Sequence, residues 1–139
     1  MPMDYTFKTW TYDDYYDFYV EFNRIESYNE YCKKWLNHYG IKVDSFTSKT
    51  NWTMSDIVDM KDYNRVKTNI NLLLKAIYSS TNNLSISSQV NQVWNVEKAN
   101  ELEVRLQEYL KYIGEMQFLD NMTSSTTITG NNLKLGGVS

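Results

Sequence analysis

The sequence predicts a mainly α-helical protein: a three-helix bundle built from three related helical units, followed by a short β-hairpin or extended C-terminal arm. Apolar residues recur at helical spacing in three stretches, each preceded by a tryptophan. These tryptophans, Trp10, Trp52 and Trp94, are spaced 42 residues apart, as expected for related units that bury their faces against one another. From Asp120 the helical period is lost and polar residues and glycine dominate.

Length and charge limit the architecture and the partners. The 139 residues suffice for one domain, or one domain plus a tail. We predict a helical domain at 1–119, with units at about 8–40, 49–80 and 92–114, and an arm at 120–139. A net charge of −3 without a basic stripe argues against a nucleic-acid partner. No signal peptide and no apolar run of membrane length are recognisable, so we expect a soluble protein made in the cytoplasm, with no membrane partner.

The first helix is predicted from Asp13 to Asn37. Thr11, with Asp14 three residues later, is its predicted N-cap, and Gly40 is its predicted left-handed C-cap. Residues 41–51 read as a polar loop. The predicted buried stripe of this helix comprises Phe18, Phe22, Ile25, Asn29, Cys32 and Leu36.

The second helix is predicted from Met60 to about Ser79. Thr53 and Asp56 repeat the capping pattern of the first unit, and Asp59 is a second candidate N-cap. The predicted stripe comprises Tyr63, Val66, Ile70, Leu73, Leu74 and Ile77.

The third helix is predicted from about Val96 to Tyr112, with Asn95 as its N-cap and Gly114 at its end, or with a weak continuation to Leu119. Its predicted stripe comprises Ala99, Leu102, Leu106, Tyr109 and Ile113. Beyond it, two β-prone stretches flank a Gly-Asn-Asn turn, which predicts the hairpin or arm. The predicted partner contacts of this arm are Ile128, Leu133 and Leu135.

An asparagine followed by a charged residue recurs near each helix start, as Asn23-Arg24, Asn64-Arg65 and Asn100-Glu101. These residues could contact a ligand or partner. We favour a structural interpretation, in which the asparagine bonds a nearby cap or loop backbone and the arginine lies across the bundle. The three tryptophans are likewise interpreted as core plugs or helix staples rather than as a binding cage.

Candidate reaction chemistry is sparse. Acidic residues at Asp13, Asp14, Asp17 and Glu21, and again at Asp56, Asp59 and Asp62, could bind a hard cation, but capping explains both clusters without one. A single cysteine, Cys32, lies in an apolar stripe and is expected to be buried and inert. We therefore predict no catalytic residue, no metal site and no cofactor.

The segments Lys8-Thr9-Trp10-Thr11 with Asn23-Arg24-Ile25-Glu26, and Lys49-Thr50-Asn51-Trp52-Thr53 with Tyr63-Asn64-Arg65-Val66, carry a resemblance. This combination resembles an element of small virion proteins of tailed bacteriophages that infect low-GC Gram-positive hosts, where it occurs in tail, baseplate or tail-appendage proteins. The likeness covers roughly residues 8–113. The third copy departs from it, because Glu101 replaces the arginine and no threonine follows Trp94.

The resemblance implies a non-enzymatic structural protein of the virion. It would assemble in multiple copies, as a homo-oligomer within a larger assembly of virion proteins, with the C-terminal arm contacting neighbouring chains. Two alternatives stay open. One is a head–tail neck or connector component, and the other is a soluble regulatory module that binds one host protein in a one-to-one complex.

Overall fold

The computed structural model describes residues 5–78 and 94–126, the last four of them by their backbone alone. The chain forms three α-helices, α1 (Phe18–His38), α2 (Met60–Tyr78) and α3 (Val96–Thr126), and the described residues contain no strand. Each helix packs against the other two. The predicted mainly helical three-helix bundle is therefore confirmed.

Helices α2 and α3 begin where their capping residues predict. The carboxylate of Asp59 accepts the backbone N–H groups of Lys61 and Asp62 at 2.9 and 3.2 Å, and Asp62 accepts the N–H of Asp59 at 3.1 Å. Asn95 accepts the N–H of Lys98 at 2.9 Å. Each cap supplies an acceptor for donors that have no partner within the first helical turn.

Thr11 and Thr53 are not helix caps, contrary to the prediction, and α1 begins at Phe18 rather than Asp13. The Thr11 N–H donates to the Asp14 carboxylate at 2.8 Å, while the Asp14 N–H donates to the Thr11 carbonyl at 3.1 Å. Thr53 and Asp56 repeat both bonds, at 2.8 and 3.0 Å. The Thr–Asp pair thus closes a separate turn before α1 and before α2. The aspartate accepts the free backbone N–H of that turn, as a capping residue accepts a free N–H at the start of a helix.

Gly40 ends α1 as predicted. Its φ of +80° lies in the left-handed region that glycine tolerates best. The N–H of Ile41 donates to the carbonyl of Leu36 at 2.8 Å, and the N–H of Gly40 donates to that of Asn37 at 3.0 Å. This pair of bonds is a Schellman motif, which satisfies the last carbonyls of the helix.

Helix α3 is longer than predicted, since it passes through Gly114 and Asp120 and ends at Thr126. A helical glycine costs about 1 kcal/mol, but Ile113 and Gln117 beside Gly114 are buried against the bundle and hold the helix together. The first residues of the predicted arm are therefore helical. The rest of that arm, including its predicted hairpin and the contact residues Ile128, Leu133 and Leu135, lies outside the described residues.

The three helices run in the same direction. For α2 and α3 this follows because Tyr63 lies near Glu101, whereas Tyr78 lies near Glu108 and Glu115. Hydrogen bonds between α1 and α3 join residues whose numbers rise together, namely Arg24 with Glu103, Asn29 with Tyr109, and Tyr31 with Gln117. A parallel bundle needs long connections, because each one must return to the end at which the previous helix began.

The connection between α1 and α2 makes this return in the groove between the two helices. Along α1, the partners of Phe46, Lys49 and Trp52 are Lys33, Glu26 and Asn23, in falling order. Eleven extended residues span about 36 Å, which covers the roughly 30 Å length of a 20-residue helix. The residues predicted as a loop at 41–51 are thus an extended segment that packs along the bundle.

The core lies along the bundle axis and contains the predicted stripes. All members of the three stripes are buried except Phe18 and Ile77, which lie near helix ends and are half-buried. Cys32 is fully buried as predicted, and burial raises the pKa of its thiol above the ordinary value. The thiol is therefore protonated at neutral pH, as expected for a structural cysteine.

Candidate functional site

The second docking segment, defined here as residues 46–52, is held on α1 by Asn23 and Glu26. The Trp52 N–H donates to Asn23 Oδ1 at 2.8 Å, and Asn23 Nδ2 donates to the Trp52 carbonyl at 2.9 Å. The Glu26 carboxylate accepts the Lys49 N–H at 2.7 Å and the Trp52 indole N–H at 2.6 Å. Side chains on one face of α1 thereby bind backbone groups of the docking segment that a neighbouring strand would bind in a sheet.

Arg65 of α2 completes this arrangement from the other side of the groove. Its guanidinium forms two hydrogen bonds with Glu26, one of them at 2.9 Å, and donates to the Thr47 carbonyl at 3.2 Å. The bond to Glu26 raises the pKa of Arg65 above its ordinary value despite partial burial. Glu26 is fully buried. The guanidinium of Arg65 therefore offsets the free-energy cost of removing the Glu26 carboxylate from water.

The first docking segment, residues 5–10, repeats this chemistry on α3. Asn100 exchanges two hydrogen bonds with the Trp10 backbone, at 2.7 and 2.9 Å, and Glu103 accepts the Lys8 N–H and the Trp10 indole N–H at 3.1 and 3.3 Å. Arg24 bonds Glu103 and donates to the Thr6 carbonyl at 2.8 Å. The groove between α3 and α1 is therefore filled in the same way as the groove between α1 and α2.

The electrostatics of the two sites also match. Burial alone would lower the pKa of Arg24, but hydrogen bonds and attraction from Glu103 and Glu21 raise it above its ordinary value. The ammonium groups of Lys8 and Lys49 lie 5.0 and 4.7 Å from the ring centroids of their neighbouring tryptophans. Both docking segments thus carry a Lys–Trp pair whose cation covers the indole face.

The third groove, between α2 and α3, reverses the charges. Lys67 occupies the position of Glu26 and Glu103, three residues after its asparagine, and Glu101 occupies the position of Arg24 and Arg65. Lys67 is 3% exposed, its ammonium lies 4.7 Å from the ring centroid of Tyr63, and burial lowers its pKa while the attraction of Glu101 opposes that shift. A lysine cannot accept hydrogen bonds, so this groove does not offer the acceptors of the other two.

Four of the predicted signature residues, Asn23, Arg24, Arg65 and Asn100, each bond a residue of another unit. Asn23 binds the Trp52 backbone of the following unit, whereas its neighbour Arg24 serves the segment that precedes α1. Asn64 and Arg65 lie at the start of α2, and Trp94 packs on Tyr63 with a centroid distance of 5.1 Å. Sequence reasoning assigned no role to Glu26 and Glu103, although their constant spacing of three from an asparagine was a usable signal.

The aspartates at the N-terminal end bind backbone groups. The carboxylates of Asp14, Asp56, Asp59 and Asp62 each accept a backbone N–H. The N–H of Thr53 holds the pKa of Asp56 below its ordinary value, and that of Asp62 does the same for Asp59. Among the described residues, no group of three or more His, Cys, Asp and Glu side chains is arranged to hold a metal ion.

The two Thr–Asp turns present large apolar side chains at the end of the bundle where the helices begin. We define the tip surface as Tyr12, Tyr15, Met54 and Ile57, which are 80–85% exposed. Tyr12 corresponds to Met54, and Tyr15 to Ile57, at the repeat offset of 42 residues. Two equivalent turns thus expose apolar side chains at equivalent positions, which sequence reasoning did not predict.

A crevice of about 130 Å³ opens beside the first turn, between that turn and the start of α3. Four of its nine lining residues are aromatic, and Ala99 closes it from α3. Its lining comprises Trp10, Thr11, Tyr12, Asp14, Tyr16, Trp94, Asn95, Val96 and Ala99. The Tyr12 hydroxyl donates to the Glu97 carboxylate at 2.6 Å and so places a second acid near the opening.

In both docking sites the charged groups bind backbone and indole N–H groups and so hold the docking segments against the helices. None of the helices in the described part of the chain is long and apolar enough to cross a membrane. Comparison of the chain with protein-family models, with curated proteins and with solved structures gives no match.

Proposed function

We propose that the chain is a non-enzymatic structural protein of a bacteriophage virion, which assembles in multiple copies in the tail, the baseplate or a tail appendage. The observation that carries an assembly role is the tip surface, where Tyr12, Tyr15, Met54 and Ile57 stand exposed on two turns of defined structure. Exposed apolar side chains gathered at one end of a molecule are typical of protein–protein interfaces. The assignment of the protein to a virion rests on the resemblance of its Trp-Thr and Asn-Arg elements to those of phage tail proteins.

The buried carboxylates bind groups of the protein itself, and this supports a role without catalysis. Glu26 and Glu103 are buried, and each is engaged by an arginine, a backbone N–H and an indole N–H. Catalytic carboxylates are instead left accessible to a substrate in a cleft. The Trp–Asn–Glu sites therefore serve to hold the turns in place, and the turns carry the contact surface.

In this proposal the C-terminal arm contributes a second contact. Ile128, Leu133 and Leu135 are its proposed contact residues with neighbouring chains, in a homo-oligomer within the virion. Two separate contact regions on one chain are what a protein needs to join neighbours in an assembly, since a single self-complementary patch yields only a closed pair.

The tip surface can be tested with the double variant Tyr15→Ser/Ile57→Ser in phage particles produced from a genome that carries it. Because both side chains are more than 80% exposed, the melting temperature of the isolated protein should be unchanged. The copy number in purified particles, measured by quantitative mass spectrometry, should fall at least tenfold. The matched control is Val104→Ser, which removes an exposed apolar side chain from the third turn of α3.

Normal incorporation of the double variant would contradict the role of the tip surface. Absence of the natural protein from purified particles, together with a one-to-one complex in the host cytoplasm, would contradict the virion proposal itself. Deletion of 127–139 tests the arm separately, and the truncated protein is expected to melt normally and to be lost from particles.

A further inference from the structure

One position of the repeat changes from aromatic to small in the third unit. Phe22 and Tyr63 immediately precede the asparagines Asn23 and Asn64, and Ala99 precedes Asn100. Phe22 packs edge-on against Trp52, with 6.1 Å between ring centroids and an interplanar angle of 90°. Tyr63 packs in the same way against Trp94, at 5.1 Å and 88°.

The corresponding ring is missing under Trp10, and the crevice lies there. Ala99 and Trp10 both line it, and its volume of about 130 Å³ is close to that of the roughly 150 Å³ cavity that holds a benzene molecule. We call this crevice the slot. Its existence follows from a single replacement, because two of the three copies of the repeat fill this position with an aromatic side chain.

Four aromatic side chains, Trp10, Tyr12, Tyr16 and Trp94, line the slot. Tyr16 lies between Trp10 and Trp94, with centroid distances of 4.5 and 5.0 Å, and Tyr12 flanks the opening. The π faces of such rings attract cations, and they attract the flat guanidinium group best because it can stack on them.

The opening of the slot is acidic. Asp14 is part of the lining, and its Oδ2 accepts the N–H and the hydroxyl of Thr11. Glu97 lies at the rim through its bond from Tyr12. A planar cation that enters the slot against its aromatic walls therefore meets two carboxylates, which suit the forked donors of a guanidinium.

We propose that the slot receives an arginine side chain of a different protein, as the anchor of the contact made by the tip surface; this inference rests on the proposed function. The occupant does not come from a second copy of this chain. The chain has three arginines, and Arg24, Arg65 and Arg105 are all held in ion pairs with glutamates.

The probe is the tripeptide acetyl-Gly-Arg-Gly-amide, titrated into the ¹⁵N-labelled full-length protein. The indole N–H signals of Trp10 and Trp94 report on the slot, and that of Trp35 is the internal reference because Trp35 packs near His38 at the other end of α1. Saturable shifts of the two slot signals are expected, with a Kd of about 1 mM for a single side chain. The matched peptide with citrulline, which has the same shape without the charge, should bind at least about tenfold more weakly, and the lysine peptide about threefold more weakly.

Variants locate the binding. Ala99→Phe restores the aromatic residue of the other units, should fill the slot, and should abolish the shifts. Glu97→Gln and Asp14→Asn change exposed residues, and each should weaken binding about threefold even if Ala99→Phe fails to fold. Val104→Ser should leave binding unchanged.

Three outcomes would overturn the proposal: no saturable shift at 20 times the expected Kd, equal binding of the citrulline peptide, or full binding to a folded Ala99→Phe variant. If the tip variants are lost from particles while the arginine peptide fails to bind, the arginine anchor is wrong and the assembly role stands. If the peptide binds as expected but tip variants enter particles normally, the slot exists and the assembly role is wrong.

Discussion

Replacing Glu26 by glutamine removes the charge that holds the second docking segment and keeps the size of the side chain. The carboxylate is fully buried and accepts bonds from the Lys49 N–H, the Trp52 indole and Arg65. Glutamine offers a single acceptor oxygen, and its NH₂ group would face donors. Removing one partner of a buried ion pair costs about 3–5 kcal/mol. Because the Arg65 side chain is 26% exposed and can turn to water, we expect the lower end of this range, about 3 kcal/mol.

Urea denaturation followed by far-UV circular dichroism measures this loss, and the melting temperature should fall by about 10 °C. The control is Glu30→Gln, the same chemical change one helical turn further along α1. The Glu30 carboxylate is 40% exposed, bonds Ser48 at 2.7 Å and pairs with Lys33 at 3.2 Å. We expect this variant to lose less than about 1 kcal/mol.

The double variant Glu26→Lys/Arg65→Glu tests the reasoning more severely. It keeps opposite charges at the two positions, as Lys67 and Glu101 do across the groove between α2 and α3. Stability should not recover, because lysine cannot accept the backbone and indole N–H groups that Glu26 accepts. A double variant as stable as the natural protein would refute the argument, since Glu26 would then act merely as the partner of Arg65.

Other stability measurements test the core and the caps. Tyr109 donates to the buried Asn29 Oδ1, so Asn29→Leu and Tyr109→Phe should each cost about 1–3 kcal/mol in urea denaturation, and the double variant should cost less than their sum; additive losses would contradict this coupling. Burial raises the pKa of Tyr63 and Tyr109 in the folded protein. The free energy of unfolding should therefore be constant up to about pH 10 and then fall by about 1.4 kcal/mol per pH unit for each group, because the unfolded chain loses these protons first. Tyrosinate absorbance should rise as helical dichroism is lost. Backbone N–H donors lower the pKa of Asp59, so the destabilisation caused by Asp59→Ala should be present at neutral pH and shrink as the pH falls below about 4. Melting curves at neutral and acidic pH check this, and a chelator should leave them unchanged.

The helices and their buried faces were predictable because both follow from local periodicity. Leu102, Leu106 and Ile113 recur at helical spacing and are fully buried. The capping role of Thr11 was wrong, since a Thr–Asp pair three residues apart closes a turn as readily as it begins a helix. The continuation of α3 past Gly114 depends on burial against the other helices, which a local pattern does not contain.

The docking sites could not be predicted from the sequence, because their partners are far apart in the chain. Glu103 accepts groups of Lys8 and Trp10, more than 90 positions away in the chain. Such a pairing becomes visible only when the direction of the helices is known. The connection of 21 residues between α1 and α2 was the available clue, because an antiparallel neighbour needs only a short loop.

The parallel arrangement and the divergence of the groove between α2 and α3 are connected. Three equivalent grooves around one bundle would each accept a Lys–Trp segment, so identical units could exchange their docking segments. Lys67 presents donors where Glu26 and Glu103 present acceptors, and it thereby excludes the indole and backbone N–H groups of those segments from the groove between α2 and α3. Lys67 of α2 thus specifies the order of the helices, and Ala99 of α3, in place of an aromatic residue, creates the slot at the tip of the bundle.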